Sequence, residues 1–458
     1  MPLVELQEVD LPDFGSTAEA PEFPAHLYRD RLDRLRTAMD TEGYDALIVY
    51  ADREHSANLA YLTGFDPRFE EALLVVGDDL QPLLLTGNEC VGMAEAAPLD
   101  MRVELYQDLS LPSQPNDRSR SLSSILASEE IRSGSHVGLI GWKQFGDRAQ
   151  IDLPAFVTDA VRAAVEPGGV VDNAVHLLIA PDAGLRVINE IDQLALFEHA
   201  ACHTSSGVRS VVHGLRPGLR EREAVALLGW NGSPLSCHLM LTAGERARLG
   251  LLSPSDRRIE RGDPFTTAYG VWGALNCRAG FVVEDGSELP TAISDYVDRL
   301  VTPYFAAIVE WYEALHIGQT GGALFEIIDR HLGGPFFGIF LNPGHQIHLD
   351  EWVNSPVWRD SPVQLASGMA MQVDVIPATG TDYFTTNIED GVALLDAKGR
   401  SVFAERHPEA WSRIVARRVF MRDRLGIDLH PDVLPFSNIP AYLAPFLLAP
   451  DRAMVRTG

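Results

Sequence analysis

The stretch GHQIHLDEW at residues 344–352 sets two imidazoles and two carboxylates within seven positions, directly after the loop signal Asn-Pro-Gly. Two further carboxylates follow in segments that are typical of strands. Asp374 interrupts the apolar run GMAMQVDVIP (368–377), and Glu389 heads the apolar run that starts at NIEDGV (387–392). A carboxylate inside a buried strand is costly unless it is paired or coordinated. His345, Asp374 and Glu389 are therefore candidate catalytic residues, in a hard-metal site or an acid/base pair.

Each of these residues also has an ordinary structural explanation. A strand-end Asp or Glu is often the turn-facing residue, and a single His is usually structural. We predict that His345 is the acid/base, and that Asp374 and Glu389 orient it or bind a positively charged substrate nitrogen. His348 and Glu351 are candidate substrate contacts, although a polar surface loop explains them equally well.

The hydrophobic pattern divides the chain into two predicted domains. Residues 1–24 are acidic, contain four prolines and are expected to form an irregular arm. Helical periodicity begins near His26 and ends at Gly43, and the first 180 residues alternate strands and helices, which indicates an α/β domain. The stretch APDAG (180–184) is a plausible boundary. We therefore expect domains at 1–182 and 183–458, the second being α+β with a mostly antiparallel sheet.

The expected elements follow from apolar runs and turn residues. Strands are predicted at 46–50, 72–76, 83–86, 137–140, 236–242, 264–269, 280–283, 369–376, 391–395 and 402–404. The second and third of these are predicted to pair as a hairpin across Gly77-Asp78-Asp79. Helices are predicted at 187–212, 221–228, 291–315 and 323–332.

Composition excludes several classes of function. The 458 residues carry 64 acidic and 37 basic side chains, for a formal charge of −27. This acidity argues against a nucleic-acid partner and against a basic membrane-surface helix. The four cysteines are scattered without a CxxC pair, which excludes a zinc ribbon and suits a reducing compartment. With no long apolar run and no signal-peptide pattern, we expect a cytoplasmic protein without a membrane partner.

Four motifs in order resemble the creatinase/prolidase/methionine aminopeptidase family. They are Gly344-His345, Gly368-Met369 followed by Asp374, Asn387-Ile388-Glu389-Asp390, and NLAYLTGF at 58–65. The resemblance, which extends to aminopeptidase P, implies an α/β creatinase-like N-terminal domain and an α+β C-terminal domain of the pita-bread fold. It also implies a homodimer in which the N-terminal domain of one subunit reaches the partner's site. On that analogy Arg68 is a candidate substrate contact; a charged surface loop is the alternative.

The metallopeptidases of this family bind two metal ions with two Asp, one His and two Glu. At the first Asp, the stretch GDPFTTAYG (262–270) supplies Ala268. Counting back from Arg278 gives Leu275 or Asn276 at the second. Without two carboxylates, the repulsion between two dications is left uncompensated. The resemblance therefore implies no dinuclear centre, and at most one weakly bound divalent ion at the three catalytic candidates.

Creatinase has this fold and works without metal, but its acid/base histidine is also missing here. An ungapped count places Leu251 at that position, which argues against creatine as substrate. Trp352 and Val353 replace the family's usual His-Glu pair after the Gly-His motif. Neither known catalytic arrangement of the fold is therefore complete in this chain.

Further pocket residues are expected near the missing metal ligands. Arg278 is a candidate for binding a substrate carboxylate, although pairing with a local carboxylate is an equal alternative. Tyr269 and Asn276 are candidate substrate contacts. Cys277 is a nucleophile only if a base or an electropositive setting activates it, and a small buried thiol is the commoner role.

Three functions are compatible with these residues. The first is a hydrolase that cleaves an amide- or amidine-type C–N bond in a small amino-acid-like molecule, without a dinuclear metal centre. The second is an Xaa-Pro peptidase with a reduced metal site that acts on short peptides. The third is a catalytically inactive pita-bread module that binds a peptide or small ligand.

Overall fold

The computed structural model describes residues 3–17, 19–78 and 80–457, which fall into two compact units. One unit comprises residues 23–186. The other joins the first 22 residues to the chain from Val187 onward. This division lies four residues after the predicted boundary at 182, and residues 1–22 of the predicted arm group with the C-terminal unit. Within the predicted arm and hairpin turn, Met1, Pro2, Ala18 and Asp79 lie outside the described residues.

The secondary structure comprises fifteen strands and eleven α-helices along the described residues. The strands are β1 (Val4–Glu8), β2 (Ala46–Ala51), β3 (Ala72–Gly77), β4 (Leu83–Thr86), β5 (Arg102–Leu105), β6 (His136–Ile140), β7 (Val170–Asn173), β8 (Met240–Ala243), β9 (Pro264–Val271), β10 (Ala274–Phe281), β11 (His345–Gln346), β12 (Ala370–Asp374), β13 (Asn387–Leu394), β14 (Val433–Pro435) and β15 (Arg452–Arg456). The helices are α1 (His26–Glu42), α2 (Ala57–Thr63), α3 (Leu122–Ser128), α4 (Ala155–Val165), α5 (His176–Ile179), α6 (Ile191–Gly214), α7 (Glu221–Val225), α8 (Thr302–Ala314), α9 (Gly321–Leu332), α10 (Ala397–Arg406) and α11 (Pro408–Phe420). No described helix has the length and apolar character that crossing a membrane requires.

The N-terminal unit is built on a six-stranded sheet with the order β5-β4-β3-β2-β6-β7. Strands β2, β3 and β4 pair antiparallel, and β4–β5, β2–β6 and β6–β7 pair parallel. The predicted hairpin is therefore present as β3 and β4. Helix α1 buries Leu32, Leu35 and Met39, and it ends at Gly43 in the left-handed conformation (φ 74°), as predicted.

The NLAYLTGF motif forms α2 and serves the interior of the N-terminal unit. All seven helical residues are buried, and the helix ends at Gly64 with φ 71°. Asn58 donates a hydrogen bond to the carbonyl of Gly141 (2.7 Å) and accepts one from Arg186 (2.6 Å). Tyr61 donates to the carbonyl of Leu185 (2.8 Å). These hydrogen bonds therefore connect α2 both to the residue that follows β6 and to the last residues of the N-terminal unit.

The C-terminal unit is built on a seven-stranded antiparallel sheet. Its order is β11-β12-β13-β10-β9-β8, with β14 also pairing with β13. A separate two-stranded sheet pairs β1 with β15, from Val4 opposite Arg456 to Glu8 opposite Arg452. Part of the predicted irregular arm is thus an ordered strand.

Three further sequence predictions differ from the structure. The predicted strand at 402–404 lies inside helix α10, in which Phe403 is the buried residue. The predicted strand at 280–283 overlaps only the end of β10. The predicted helix at 291–315 is interrupted, with a π-helical turn at Val297–Val301 ahead of α8.

Helix α6 is attached to α11 by a buried ionic network. Glu198 is fully buried, and its carboxylate accepts hydrogen bonds from Arg413 (2.6 Å) and Arg417 (2.7 Å). Arg417 also donates to Asn438 (2.6 Å). Two guanidinium groups therefore depend on one carboxylate for charge balance within the core.

Substitution of Glu198 by Ala is expected to lower the free energy of unfolding by about 3–5 kcal/mol, because it leaves buried guanidinium charge without its partner. Chemical denaturation measures the change. Asp423→Ala, which breaks the exposed pair with Arg422, is the control and is expected to leave stability unchanged. Equal stability of both variants would contradict the role given to Glu198.

Candidate active site

The sheet of the C-terminal unit brings the candidate residues into one row. Ala268 lies opposite Cys277, Cys277 opposite Glu389, and Glu389 opposite Asp374. Directly paired residues of neighbouring antiparallel strands point to the same face of the sheet. The face that carries Asp374 and Glu389 is called the acidic face below. Glu389 lies within β13 rather than at its head, contrary to the sequence prediction.

His345 is the centre of the group on the acidic face. Its side chain is fully buried, and Nε2 lies 3.4 Å from Glu351 Oε1, 3.5 Å from Glu389 Oε1 and 3.9 Å from Asp374 Oδ2. Its Nδ1 lies 3.2 Å from the carbonyl oxygen of Gln346. A proton on Nδ1 satisfies that carbonyl and leaves the Nε2 lone pair facing the three carboxyl groups. The structure thus brings together four of the residues singled out from the sequence.

Trp352 fixes the plane of this imidazole. Its indole stacks on the ring of His345, with centroids 4.2 Å apart and an interplanar angle of 15°. The sequence identified Trp352 only as a departure from a family pattern, and no feature of the sequence indicated the stacking. The neighbouring Glu351 side chain retains 27% exposure, whereas those of Asp374 and Glu389 retain 6% and 5%. Glu351 is therefore the most solvent-accessible carboxylate of the group.

Several polar atoms of the group lack hydrogen-bond partners within the described part of the chain. They are His345 Nε2, Asp374 Oδ1 and Glu389 Oε1, all buried. Burial, with the adjacent Glu389 charge, raises the pKa of Asp374 well above its usual value. Burial and the Glu351 carboxylate likewise raise the pKa of Glu389. These carboxyl groups therefore retain protons at pH values where exposed carboxyls have lost them.

The donor set does not fit a two-metal centre. Ala268 offers no donor, and Cys277 rather than Leu275 or Asn276 occupies the adjacent position of the row. Burial and nearby carboxylates raise the pKa of Cys277 well above its usual value, which opposes both metal ligation and nucleophilic attack. One divalent ion does fit, because ligand atoms of His345, Glu351 and Glu389 all lie within 4.8 Å of one another.

Arg278 and Asn276 lie on the opposite face, which corrects their predicted role as substrate contacts. Arg278 is buried and donates to both carboxylate oxygens of Asp390 (2.8 and 3.1 Å) and to main-chain carbonyls. Asn276 donates to Asp390 (2.8 Å) and accepts from Thr204 of α6 (2.7 Å). Alternation along β10 therefore leaves only Cys277 of these three neighbours on the acidic face.

Tyr269 is likewise placed on the helical side of the sheet, contrary to its predicted position in the site. Its hydroxyl lies 2.7 Å from Nε2 of His203 on α6, and burial raises its pKa. Cys237 is a residue near the site that the sequence did not single out. Burial, Glu351 and Glu389 raise the pKa of its half-buried thiol to about 12. Its location depends on loop geometry that has no signature in the sequence.

For His348 and Arg68, the role of substrate contact stays a prediction. His348 is fully buried, and its ring meets Phe197 edge-on with centroids 5.1 Å apart. Arg68 belongs to the N-terminal unit and forms an ion pair with Asp66 at 3.5 Å. Leu251, at the position of the creatinase histidine, is 70% exposed on a loop.

Comparison with known proteins identifies the fold. The family model of the creatinase/prolidase N-terminal domain matches residues 31–139. The prolidase from Thermococcus sibiricus is 18% identical with a TM-score of 0.63, over 81% of this chain and 95% of that one. The Xaa-Pro dipeptidase from Bacillus anthracis is 16% identical with a TM-score of 0.62, over 81% and 96%. No curated protein matches the chain.

Residues 31–139 thus match the creatinase/prolidase N-terminal domain, and the chain has the fold of these peptidases. The X-Pro aminopeptidase from Thermotoga maritima is similar to the same extent, with 16% identity and a TM-score of 0.61 over 80% of this chain and 95% of that one. The resemblance predicted from the motifs is confirmed. The predicted class, an α/β N-terminal domain and an α+β pita-bread domain, is confirmed as well.

The raised carboxyl pKa values predict how stability depends on pH. The ion-free folded chain holds protons that the unfolded chain releases above about pH 4, so its free energy of unfolding falls as pH rises toward the raised pKa. Each such proton contributes about 1.4 kcal/mol per pH unit. Asp374→Asn removes one of these carboxyl groups and is expected to raise the thermal midpoint at pH 8.

Thermal unfolding of chelator-treated protein from pH 5 to pH 8 measures this effect. Asp182→Asn, at an exposed position, is the matched control and is expected to leave the pH profile unchanged. A lower midpoint for Asp374→Asn than for the unsubstituted chain at pH 8 would show that the carboxyl is stabilised as an anion.

Proposed function

We propose that this chain is a hydrolase that cleaves a C–N bond in a small amino-acid-like molecule, without a dinuclear metal centre. The observation that supports the proposal is the convergence of three carboxyl groups on Nε2 of one buried imidazole. Two of these carboxyl groups have raised pKa values, and the third is partly exposed. Protonated and ionised groups at one site are what acid/base hydrolysis requires.

The proposed reaction uses the group as a proton relay. Water attacks the carbon of the amide- or amidine-type bond, and His345 Nε2 accepts the proton that the water loses. The C–N bond breaks as the leaving nitrogen takes a proton from Asp374, and His345 then returns a proton to Asp374. Glu389 positions the water. One water is consumed. The products are an amine and a carboxylic acid, amide or urea, according to whether the bond belonged to an amide, an amidine or a guanidine.

The charge of the site favours a substrate with a positively charged nitrogen. Among the described ion pairs, the site carboxylates of Asp374 and Glu389 pair only with His345. Arg278 is engaged by Asp390 on the opposite face. A cationic group on the substrate supplies compensating charge when one of these carboxyl groups is ionised. A homodimer, a cytoplasmic location and a substrate contact from Arg68 accompany this proposal as predictions.

Two other functions each have an observation in their favour. An Xaa-Pro peptidase with a reduced metal site is favoured by the fold shared with proteins described as Xaa-Pro peptidases. A catalytically inactive binding module is favoured by the absence of a donor at Ala268. The binding module leaves unexplained why three carboxyl groups surround His345, whereas a reduced metal site would use them as ligands.

A substrate panel separates the three functions. Amide, ureido, guanidino and cyclic-amidine compounds are incubated with chelator-treated protein, and Xaa-Pro dipeptides with protein to which Mn²⁺ or Co²⁺ is added. We expect turnover of a compound of the first group. His345→Ala is expected to lower kcat by about 10²–10⁴-fold, as for other positioned acid/base groups.

His213→Ala, at an exposed position on α6, is the control and is expected to retain full turnover. Cleavage restricted to Xaa-Pro dipeptides with added metal would favour the peptidase. Ligands that only raise the thermal midpoint, without any product, would favour the binding module. Full activity of His345→Ala would exclude the proposed proton relay.

A further inference from the structure

The carboxylates that a two-metal centre would need are missing from the sheet, but the loop after β11 brings a different carboxylate to His345. The sheet supplies no carboxylate at Ala268 or Cys277, and Asn387 donates a hydrogen bond to the Cys277 sulfur at 3.2 Å. The loop after β11 instead supplies Glu351, which the family pattern does not include. Its Oε1 is the carboxylate oxygen closest to His345 Nε2 within the described ion pairs, at 3.4 Å.

We infer that the group has been rebuilt as a site for a single divalent cation, with His345, Glu351 and Glu389 as ligands and Glu351 as the new member. The inference concerns binding of one ion and does not depend on the proposed hydrolase activity. It differs from the family arrangement both in the number of ions and in the origin of one ligand.

The distances between donor atoms support this arrangement. Donors about 2.1 Å from one tetrahedral ion lie about 3.4 Å from each other. The two measured separations from His345 Nε2 are 3.4 Å to Glu351 and 3.5 Å to Glu389. Asp374 Oδ2, at 3.9 Å, is close enough to contribute a further oxygen. A nitrogen with several carboxylate oxygens suits a borderline or hard dication such as Zn²⁺ or Mn²⁺.

Burial supplies a second and independent argument. His345 is fully buried, and its Nε2 points at the carboxylates without a hydrogen bond in the described part of the chain. Glu389 Oε1 is buried and equally without a hydrogen bond. Buried polar atoms nearly always have a hydrogen-bond or metal partner. A cation bound by both atoms would supply that partner.

Occupancy by an ion and the proposed proton relay exclude each other. Both use the lone pair of His345 Nε2, so the relay belongs to the ion-free chain. Ion binding is measured without substrate, and turnover is measured after chelation. Failure of either proposal is therefore distinguishable from failure of the other.

The test is a titration of the chelator-treated full-length chain with Mn²⁺, followed by calorimetry and by the electron paramagnetic resonance signal of free Mn²⁺. We expect one ion per chain. Glu351→Gln is expected to weaken binding at least tenfold, because it removes an anionic ligand. The Glu351 side chain is partly exposed, so circular dichroism is expected to show an unchanged fold.

Glu405→Gln, at an exposed position of α10, removes the same charge elsewhere and is expected to keep the original affinity. Two ions per chain, or spin coupling between bound ions, would overturn the single-ion site. Absence of saturable binding would overturn it as well. Equal weakening by both substitutions would show that Glu351 acts only through net charge.

Discussion

The alternation of β13 is the constraint on which the C-terminal unit depends. Glu389 and Asp390 are consecutive and point to opposite faces of the sheet. Glu389 joins His345, whereas Asp390 neutralises the buried Arg278. A shift of one residue in register would exchange these two carboxylates. The ion pair between Arg278 and Asp390 on the opposite face therefore fixes Glu389 as the carboxylate that points to the acidic face. Strand β13 thus contributes both to the core and to the site.

Local patterns predicted much of the architecture, because the sequences of these elements contain the signals that begin and end them. Helix α1 has an apolar stripe and a terminal glycine, and β3 and β4 are apolar runs separated by a turn. Strand β1 could not be predicted, since its partner β15 lies at the other end of the chain. Helix α10 was missed because its short apolar segment around Phe403 does not distinguish a strand from a helix.

The site shows the same division between local and long-range information. Carboxylates in apolar strands predicted the meeting of His345, Asp374 and Glu389. The orientation of Arg278 could not be predicted without the register of β10, which decides the face on which each residue lies. Counting along the sequence gave Leu275 or Asn276 as the second ligand position, whereas strand pairing places Cys277 beside Ala268 on the acidic face. Glu351 and Trp352 reach His345 through a loop, and loops leave no periodicity to interpret.

Pairing of β1 with β15 also has a consequence for the order of folding. The N-terminal unit, residues 23–186, is an insertion between two parts of the other unit. During synthesis β1 emerges early, but its partner strand is completed only after nearly all of the described chain has been made. The inserted unit has all of its sequence long before then. The C-terminal unit closes last, across the longest sequence separation of any strand pair in the described structure.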